Sequence, residues 1–162
     1  PHLDKVNALA NDEEWWVRAG VAYVLGYVEE PQTQGKADKL IEAFAKETSV
    51  FGRNRLRESL VNMAKRGHNT DAVVKALIEE TKHPHGFYSA TAISALASIG
   101  RNAKAAAPLF EAKLIEAKKQ LAEAKTDSAR KKIERRVKSL QGTINAMTSA
   151  PKPPKPPRKK KK

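Results

Sequence analysis

Apolar residues recur along this chain at spacings of three and four, which is the period of an α-helix that buries one face. In the stretch 16–26, Val21 and Leu25 follow this spacing, and small Ala19, Gly20 and Ala22 leave room for a neighbouring helix. A similar arrangement returns at 56–64 and again at 88–100. The pattern predicts three helices of one kind.

Helices of a second kind alternate with these and keep a fixed period. Their apolar residues match at intervals of 33 residues, from Leu40 to Val73 to Ala106. A period of a few tens of residues with two helices in each unit is typical of an α-solenoid, in which a unit buries its apolar face only against the next. We therefore expect an all-α fold, with stacked helical pairs over residues 1–102.

From residue 103 the pattern changes to two heptad seams of equal length. Apolar residues follow steps of four and three, first from Phe110 to Ala124 and then from Ile133 to Met147. The short turn between the seams requires the two helices to lie antiparallel. Residues 103–149 are therefore predicted to form a longer antiparallel coiled-coil hairpin that caps the solenoid, with Asp127 or Ser128 as the N-cap of its second helix.

Two segments carry a resemblance to a known family. The segment from Asp12 to Arg18, followed by Leu25-Gly26, resembles the HEAT and HEAT-like (phycobilisome-lyase type) repeat, as does the segment from Ile99 to Leu109. The resemblance covers roughly residues 1–117 and implies a right-handed solenoid whose surfaces bind partners. Because the chain opens inside a repeat, we expect it to be a C-terminal fragment of a longer protein.

The resemblance also concerns arginines near the helix starts. HEAT-like families often use an Arg at this place for a structural bond to the preceding turn. Arg18 and Arg57 are the equivalent residues in the first two copies, and Ser89 stands there in the third. The cations of this repeat can face a phosphate or carboxylate, but a solvated helix face with Glu58 as partner is favoured; they are Arg53, Arg55, Arg57, Lys65 and Arg66.

The formal charge of +13 is unevenly distributed. Residues 1–100 carry 12 Lys or Arg against 13 Asp or Glu, residues 101–150 carry 12 against 5, and the last twelve residues carry 7 against none. This asymmetry indicates an anionic partner, either nucleic acid or another polyanion, for the C-terminal third. The candidate contact residues are Arg130, Lys131, Arg135, Lys138, Arg158, Lys159, Lys160, Lys161 and Lys162.

The stretch 150–162 consists of Pro, Lys, Arg and one Ala, and it is predicted to be a disordered, extended spacer that carries a basic cluster. Three roles stay open for this tail. It can attach to a polyanion, it can serve as a Pro-x-x-Pro-x-Arg ligand through Pro153, Pro156 and Arg158, or it can act as a solubilising or targeting tail.

Aromatic residues are the candidates for binding a protein partner along the repeats. We assign this role to Trp15, Trp16, Tyr27 and Phe87. Adjacent residues on a helix point about 100° apart, so both tryptophans cannot face the core. The favoured interpretation has one Trp as a core anchor and the other on the surface against the preceding repeat; the alternative is an exposed ring in a groove that binds a peptide or a base.

No catalytic residue, cofactor site or metal site is predicted. The phosphate-binding Gly motifs, the His-Glu-x-x-His pair and the Gly-x-Ser-x-Gly elbow are all missing from the sequence. His83 and His85 lie two residues apart, which is not the spacing of helical metal ligands. The chain lacks Cys, which favours an intracellular location, and it contains no apolar run long enough to span a membrane.

Together these features favour a non-enzymatic scaffold or adaptor with a basic end that contacts nucleic acid or another polyanion. Two alternatives stay open. One is a HEAT-like DNA repair enzyme of the glycosylase type, in which Trp15, Trp16 and Asp12 would lie near the lesion and the arginines at 53–57 would hold the duplex. The near-neutral charge of residues 1–100 argues against it. The other is a purely structural repeat module with a solubilising tail.

Overall fold

The computed structural model describes residues 2–27 and 36–149. Over these ranges the fold is all-helical and has no strand, which confirms the predicted class. The α-helices are α1 (His2–Ala8), α2 (Trp15–Tyr27), α3 (Lys36–Lys46), α4 (Val50–Lys65), α5 (Thr70–Glu80), α6 (Gly86–Ile99), α7 (Ala107–Ala122) and α8 (Asp127–Thr148), and the 3-10 helices are η1 (Leu9–Asn11) and η2 (Gly100–Ala106).

Helix α4 lies at the centre of the packing and contacts α2, α3, α5 and α6. Its residues Leu56, Leu60 and Met63 are fully buried, as are Leu25 of α2 and Leu96 of α6. These side chains belong to one apolar cluster that continues as far as α8. The spacing of three and four in the sequence therefore marks the faces that these helices bury.

Helices α2 and α4 approach each other closely at Gly26. A Cβ atom at this position would lie 2.8 Å from the Cβ of Ser59, so only glycine allows this contact. One residue beyond the end of α4, Arg66 donates a hydrogen bond from its guanidinium to the carbonyl oxygen of Gly26. The close approach lies at Gly26 and not at Gly20, where an added Cβ would meet nothing within 4 Å.

Helices α7 and α8 pack against each other and run in opposite directions. Arg136 donates to Gln120 at 3.3 Å near one end of the pair, and Arg101 of η2 donates to the carbonyl of Ser149 at 3.1 Å near the other. The apolar residues of both helices differ in burial along the pair. Those far from the turn are buried (Phe110, Leu114, Ala117, Leu140, Ile144 and Met147), and those near it are half-buried (Leu121, Ala124, Ile133 and Val137).

Side-chain caps mark several helix starts. Asp12 accepts the backbone N–H of Glu14 at 2.9 Å, just before α2 begins at Trp15. The predicted N-cap of α8 is wrong, because Thr126 and not Asp127 or Ser128 accepts the N–H of Ala129. Helix α5 begins after Asn69, which has a left-handed backbone with φ of 45°.

Candidate functional site

The cations predicted on α8 lie on the protein surface. Arg130, Lys131, Arg135 and Lys138 are all exposed. Within the described ranges, none of these four has an acidic partner within ion-pair distance. The buried residues of α8 cover only one side of the helix, which leaves the other side free for these cations. Their charges are therefore available to an external anion.

Three of these cations form a stripe along one side of α8. Lys131, Arg135 and Lys138 are spaced i, i+4 and i+7, which places them on a common helical face opposite the seam formed with α7. Their Cα atoms extend over about 10 Å of the helix, at a rise of about 1.5 Å per residue. Such a stripe can contact consecutive phosphates of a nucleic-acid backbone. The other predicted polyanion contacts, Arg158 and Lys159 to Lys162, lie outside the described residues.

The four aromatic residues predicted to bind a partner are all exposed. Trp15 is 39% exposed and Trp16 is 60% exposed, so the favoured expectation that one of them anchors the core is wrong. The cause lies in α2, whose buried face is formed by residues such as Val21 and Leu25 and leaves both ring positions outside. Tyr27 and Phe87 are 55% and 46% exposed.

The exposed rings form separate groups. Trp15 lies 5.9 Å from Phe51, which is 71% exposed, and Tyr27 lies 4.8 Å from Tyr23, measured between ring centroids. Phe87 contacts Tyr88 and His85. Sequence reasoning missed Phe51 and Tyr23, although the exposed position of Phe51 follows once α4 is known to begin at Val50.

The arginines near the start of α4 differ in their surroundings. Arg55 is exposed and pairs with Glu58 at 3.0 Å, as predicted. Arg53 and Arg57 are buried and both bind Glu80 at the end of α5, so the predicted solvated face is wrong for these two. Arg57 donates from Nε and Nη2 to the two oxygens of Glu80, at 2.9 and 2.7 Å. Glu80 thus links α4 to α5.

A similar pair links α2 to the end of α3. Arg18 donates from Nε and Nη2 to Glu47, both at 2.7 Å, and from Nη1 to the carbonyl of Asp12. Arg53 repeats the bond to the preceding turn, because its Nη1 donates to the carbonyl of Glu47 at 2.9 Å. Arg18 and Arg53 are each the fourth residue of their helix, so Arg53 rather than Arg57 is the counterpart of Arg18.

The third helix of this kind, α6, has neither the Arg nor the Glu of the pairs Arg18–Glu47 and Arg53–Glu80. Ser89 is the fourth residue of α6, and its hydroxyl donates to the carbonyl of Thr81 at 2.6 Å. Glu47 and Glu80 lie 33 residues apart, and Lys113 occupies the position 33 residues further along the chain. The Arg–Glu pairing therefore stops before α7, where the basic part of the chain begins.

The histidines near α6 stabilise a turn. The Nδ1 atom of His83 accepts the N–H of His85 at 3.0 Å, and the Nδ1 of His85 accepts the N–H of Phe87 at 3.3 Å at the start of α6. The part of the chain that the structure describes contains no group of three or more His, Cys, Asp or Glu that could hold a metal ion. None of its helices is both long and apolar enough to cross a membrane.

Comparison with models of known families, with curated proteins and with solved structures gives no match for this chain. The assignment of function therefore depends on the geometry and charge described above.

Proposed function

We propose that this chain is a non-enzymatic scaffold of HEAT-like helical pairs that attaches to nucleic acid through α8 and the basic tail. The observation that carries the proposal is the set of exposed cations on α8 without acidic partners. Solvated helices often carry Lys and Arg, but they commonly pair them at i, i+3 or i+4, as Lys46 does with Glu42. On α8 the stripe Lys131, Arg135 and Lys138 has no such pairing in the described chain.

The solenoid part of the proposal is supported by recurring contacts. The Arg18–Glu47 and Arg53–Glu80 pairs have corresponding positions in successive helices, and both arginines also bond to the turn before their own helix. Recurrence of one contact in successive helical pairs is typical of stacked repeats. In this proposal α7 and α8 form a coiled-coil hairpin that ends the stack.

The proposed protein partner binds along the repeats, at the exposed aromatic residues. Trp16, Tyr23, Tyr27 and Phe51 are each more than half exposed. Large exposed rings are enriched where proteins bind each other, because they supply apolar contact area at low cost in conformational entropy. This part is tested by pull-down from a cell lysate with the unchanged chain and with the variant Trp16→Ala/Phe51→Ala as baits. A specific partner should be lost with the variant, and retention of every bound protein contradicts this part of the proposal.

The nucleic-acid part is tested by titrating a fluorescent duplex at two salt concentrations. The full chain is compared with a version that ends at Ala150 and with the variant Lys131→Gln/Arg135→Gln/Lys138→Gln. The matched control is Lys46→Gln/Arg55→Gln/Lys82→Gln, which removes three exposed cations that already have acidic partners. We expect both the truncation and the α8 variant to weaken binding, and the control to bind almost as tightly as the unchanged chain.

Two outcomes contradict the proposal. Absence of any duplex binding by the full chain would leave the purely structural module. Release of a base from a damaged duplex, with affinity independent of α8 and the tail, would favour the glycosylase alternative.

A further inference from the structure

A cleft of about 460 Å³ lies between α3 and α5 and is separate from α8 and from the exposed tryptophans. Its walls are mainly apolar and include Ile41, Phe44, Ala45, Ala76 and Pro84. Clefts that bind small organic molecules have volumes of roughly 300–1,000 Å³ and apolar walls with a few polar groups. The volume of this cleft lies within that range.

Arg53, which is 9% exposed, is one of the polar residues that line the cleft. Its Nε atom donates to Glu80 and its Nη1 atom donates to the carbonyl of Glu47, each at 2.9 Å. The carbon at the centre of the guanidinium lies 4.9 Å from the ring centroid of Phe44 and 5.1 Å from that of Tyr88. These contacts fix the guanidinium in place, while its Nη2 atom has no hydrogen-bond acceptor among the described residues.

The buried charges around Arg53 do not balance. Arg53, Arg57 and Glu80 are all buried, so two guanidiniums share one carboxylate. Glu47 does not supply the missing charge, because its carboxylate already accepts both bonds from Arg18 and the N–H of Ser49. A buried charge without a counter-ion is unfavourable, and an anion that reaches it gains strongly from the contact. The cluster therefore lacks one negative charge.

The other charged residues at the cleft do not fill this place. Glu79 is exposed and pairs with Lys82 at 2.6 Å, and both lie at the rim. His83 also lines the cleft; since its Nδ1 accepts a backbone N–H, its Nε2 is the ring donor. The polar edge of the cleft thus offers donors beside an apolar wall.

We infer that this cleft binds a small organic monocarboxylate with an apolar body. The carboxylate binds Nη2 of Arg53 and supplies the missing negative charge, and the apolar body packs against Phe44, Ala45 and Ala76. This inference does not depend on the proposed attachment to nucleic acid.

The test is an NMR titration of the full chain with 4-phenylbutyrate, with 4-phenylbutan-1-ol as the neutral match. A ligand of this size in a preformed cleft binds with a dissociation constant on the order of 1 mM. We expect the carboxylate to bind at least about tenfold more tightly than the alcohol, because a charge-assisted bond replaces a neutral one. The shifts should include the backbone amides of Phe44, Ala45 and Ala76 and the side-chain Nε–H of Arg53.

Two variants locate the site without removing a charge. Ala45→Leu fills the cleft from an exposed position on α3, and Ala112→Leu adds the same side chain at an exposed position on α7. We expect Ala45→Leu to weaken phenylbutyrate binding at least about tenfold, through overlap with the ligand, and Ala112→Leu to leave it unchanged.

The inference is overturned by equal binding of the acid and the alcohol, by unsaturable shifts, or by unchanged affinity in Ala45→Leu. Binding of a peptide with a free C-terminal carboxylate in the absence of phenylbutyrate binding also overturns it, because the occupant is then a peptide terminus.

Discussion

The arginines of α4 and the cations of α8 are similar in chemistry and opposite in environment. Arg53 and Arg57 are buried, and they share Glu80 as a partner on a neighbouring helix. Lys131 and Arg135 are exposed, and within the described chain they have no acidic partner. Burial makes the first group essential to the packing of the helices, because a charge out of water needs its partner.

This difference shows that the number of cations in a segment does not indicate their role. What decides it is whether packing brings a carboxylate to the cation. Residues 1–100 carry nearly equal numbers of both charges, and α4 finds an acidic partner on a neighbouring helix. Residues 101–150 carry an excess of cations, and those of the α8 stripe form no ion pair within the described chain. We therefore assign structural roles to Arg18 and Arg57, a structural and a ligand-binding role to Arg53, and a binding role to the stripe on α8.

Removal of one carboxylate near the arginines of α4 and of one on α8 should give the largest difference in stability between two variants. Glu80→Ala leaves two buried guanidiniums without a counter-charge and should lower the free energy of unfolding by about 3–5 kcal/mol. Glu134→Ala removes an exposed carboxylate of α8 and should change it by no more than about 0.5 kcal/mol. Urea denaturation measures both values. Equal losses in the two variants would contradict the structural role of the buried network.

Addition of a methyl group to one glycine in each region should give effects of opposite sign. At Gly26 a Cβ meets Ser59 at 2.8 Å, so Gly26→Ala should destabilise the fold by about 1–3 kcal/mol through overpacking. At Gly142 of α8 a Cβ meets nothing within 4 Å, so Gly142→Ala should stabilise by about 0.5–1 kcal/mol through helix propensity. Thermal unfolding checks both signs. A stabilising Gly26→Ala would mean that α2 and α4 are not in close contact.

The pair Glu42–Lys46 is intermediate, because it is paired like the arginines of α4 and exposed like the cations of α8. The hydrogen bond and the positive charge of Lys46 lower the pKa of Glu42 below its ordinary value. The pair therefore stabilises the fold above the ordinary pKa of the carboxyl, and this contribution disappears as the pH falls through the lowered pKa.

The stability of Glu42→Gln relative to the unchanged chain measures this effect. It should be smaller than the effects of the carboxylate and glycine variants above. The variant should be slightly less stable at neutral pH and equal in stability in strong acid. A difference that grows as the pH falls would have the wrong sign and would contradict the lowered pKa.

The helices and their buried faces were predictable from the sequence, because apolar periodicity is a local signal. Leu40, Val73 and Phe110 are buried, as are Leu140 and Ile144 of α8. The exposed cations of α8 followed from charge counts that need no three-dimensional information.

The buried Arg–Glu network was not predictable from such patterns. Glu80 lies 27 residues after Arg53 and 23 after Arg57, and only packing of α4 against α5 brings them together. Single-residue polarity places Arg and Glu on the surface, so these residues were expected to be solvated. The exposure of Trp15 and Trp16 was missed because large aromatic rings usually contribute to a core, whereas smaller residues of α2 fill this one.

The salt dependence of duplex binding tests the division between structural and binding cations most directly. The equilibrium constant is measured over a range of salt concentrations for the unchanged chain, for Lys131→Gln/Arg135→Gln/Lys138→Gln and for the control Lys46→Gln/Arg55→Gln/Lys82→Gln. Each lost phosphate contact reduces the slope of log K against log salt by about 0.9, so the α8 variant should lose about 2.7 if all three cations contact phosphates. The control should retain the slope of the unchanged chain. Equal slopes in all three proteins would contradict the account.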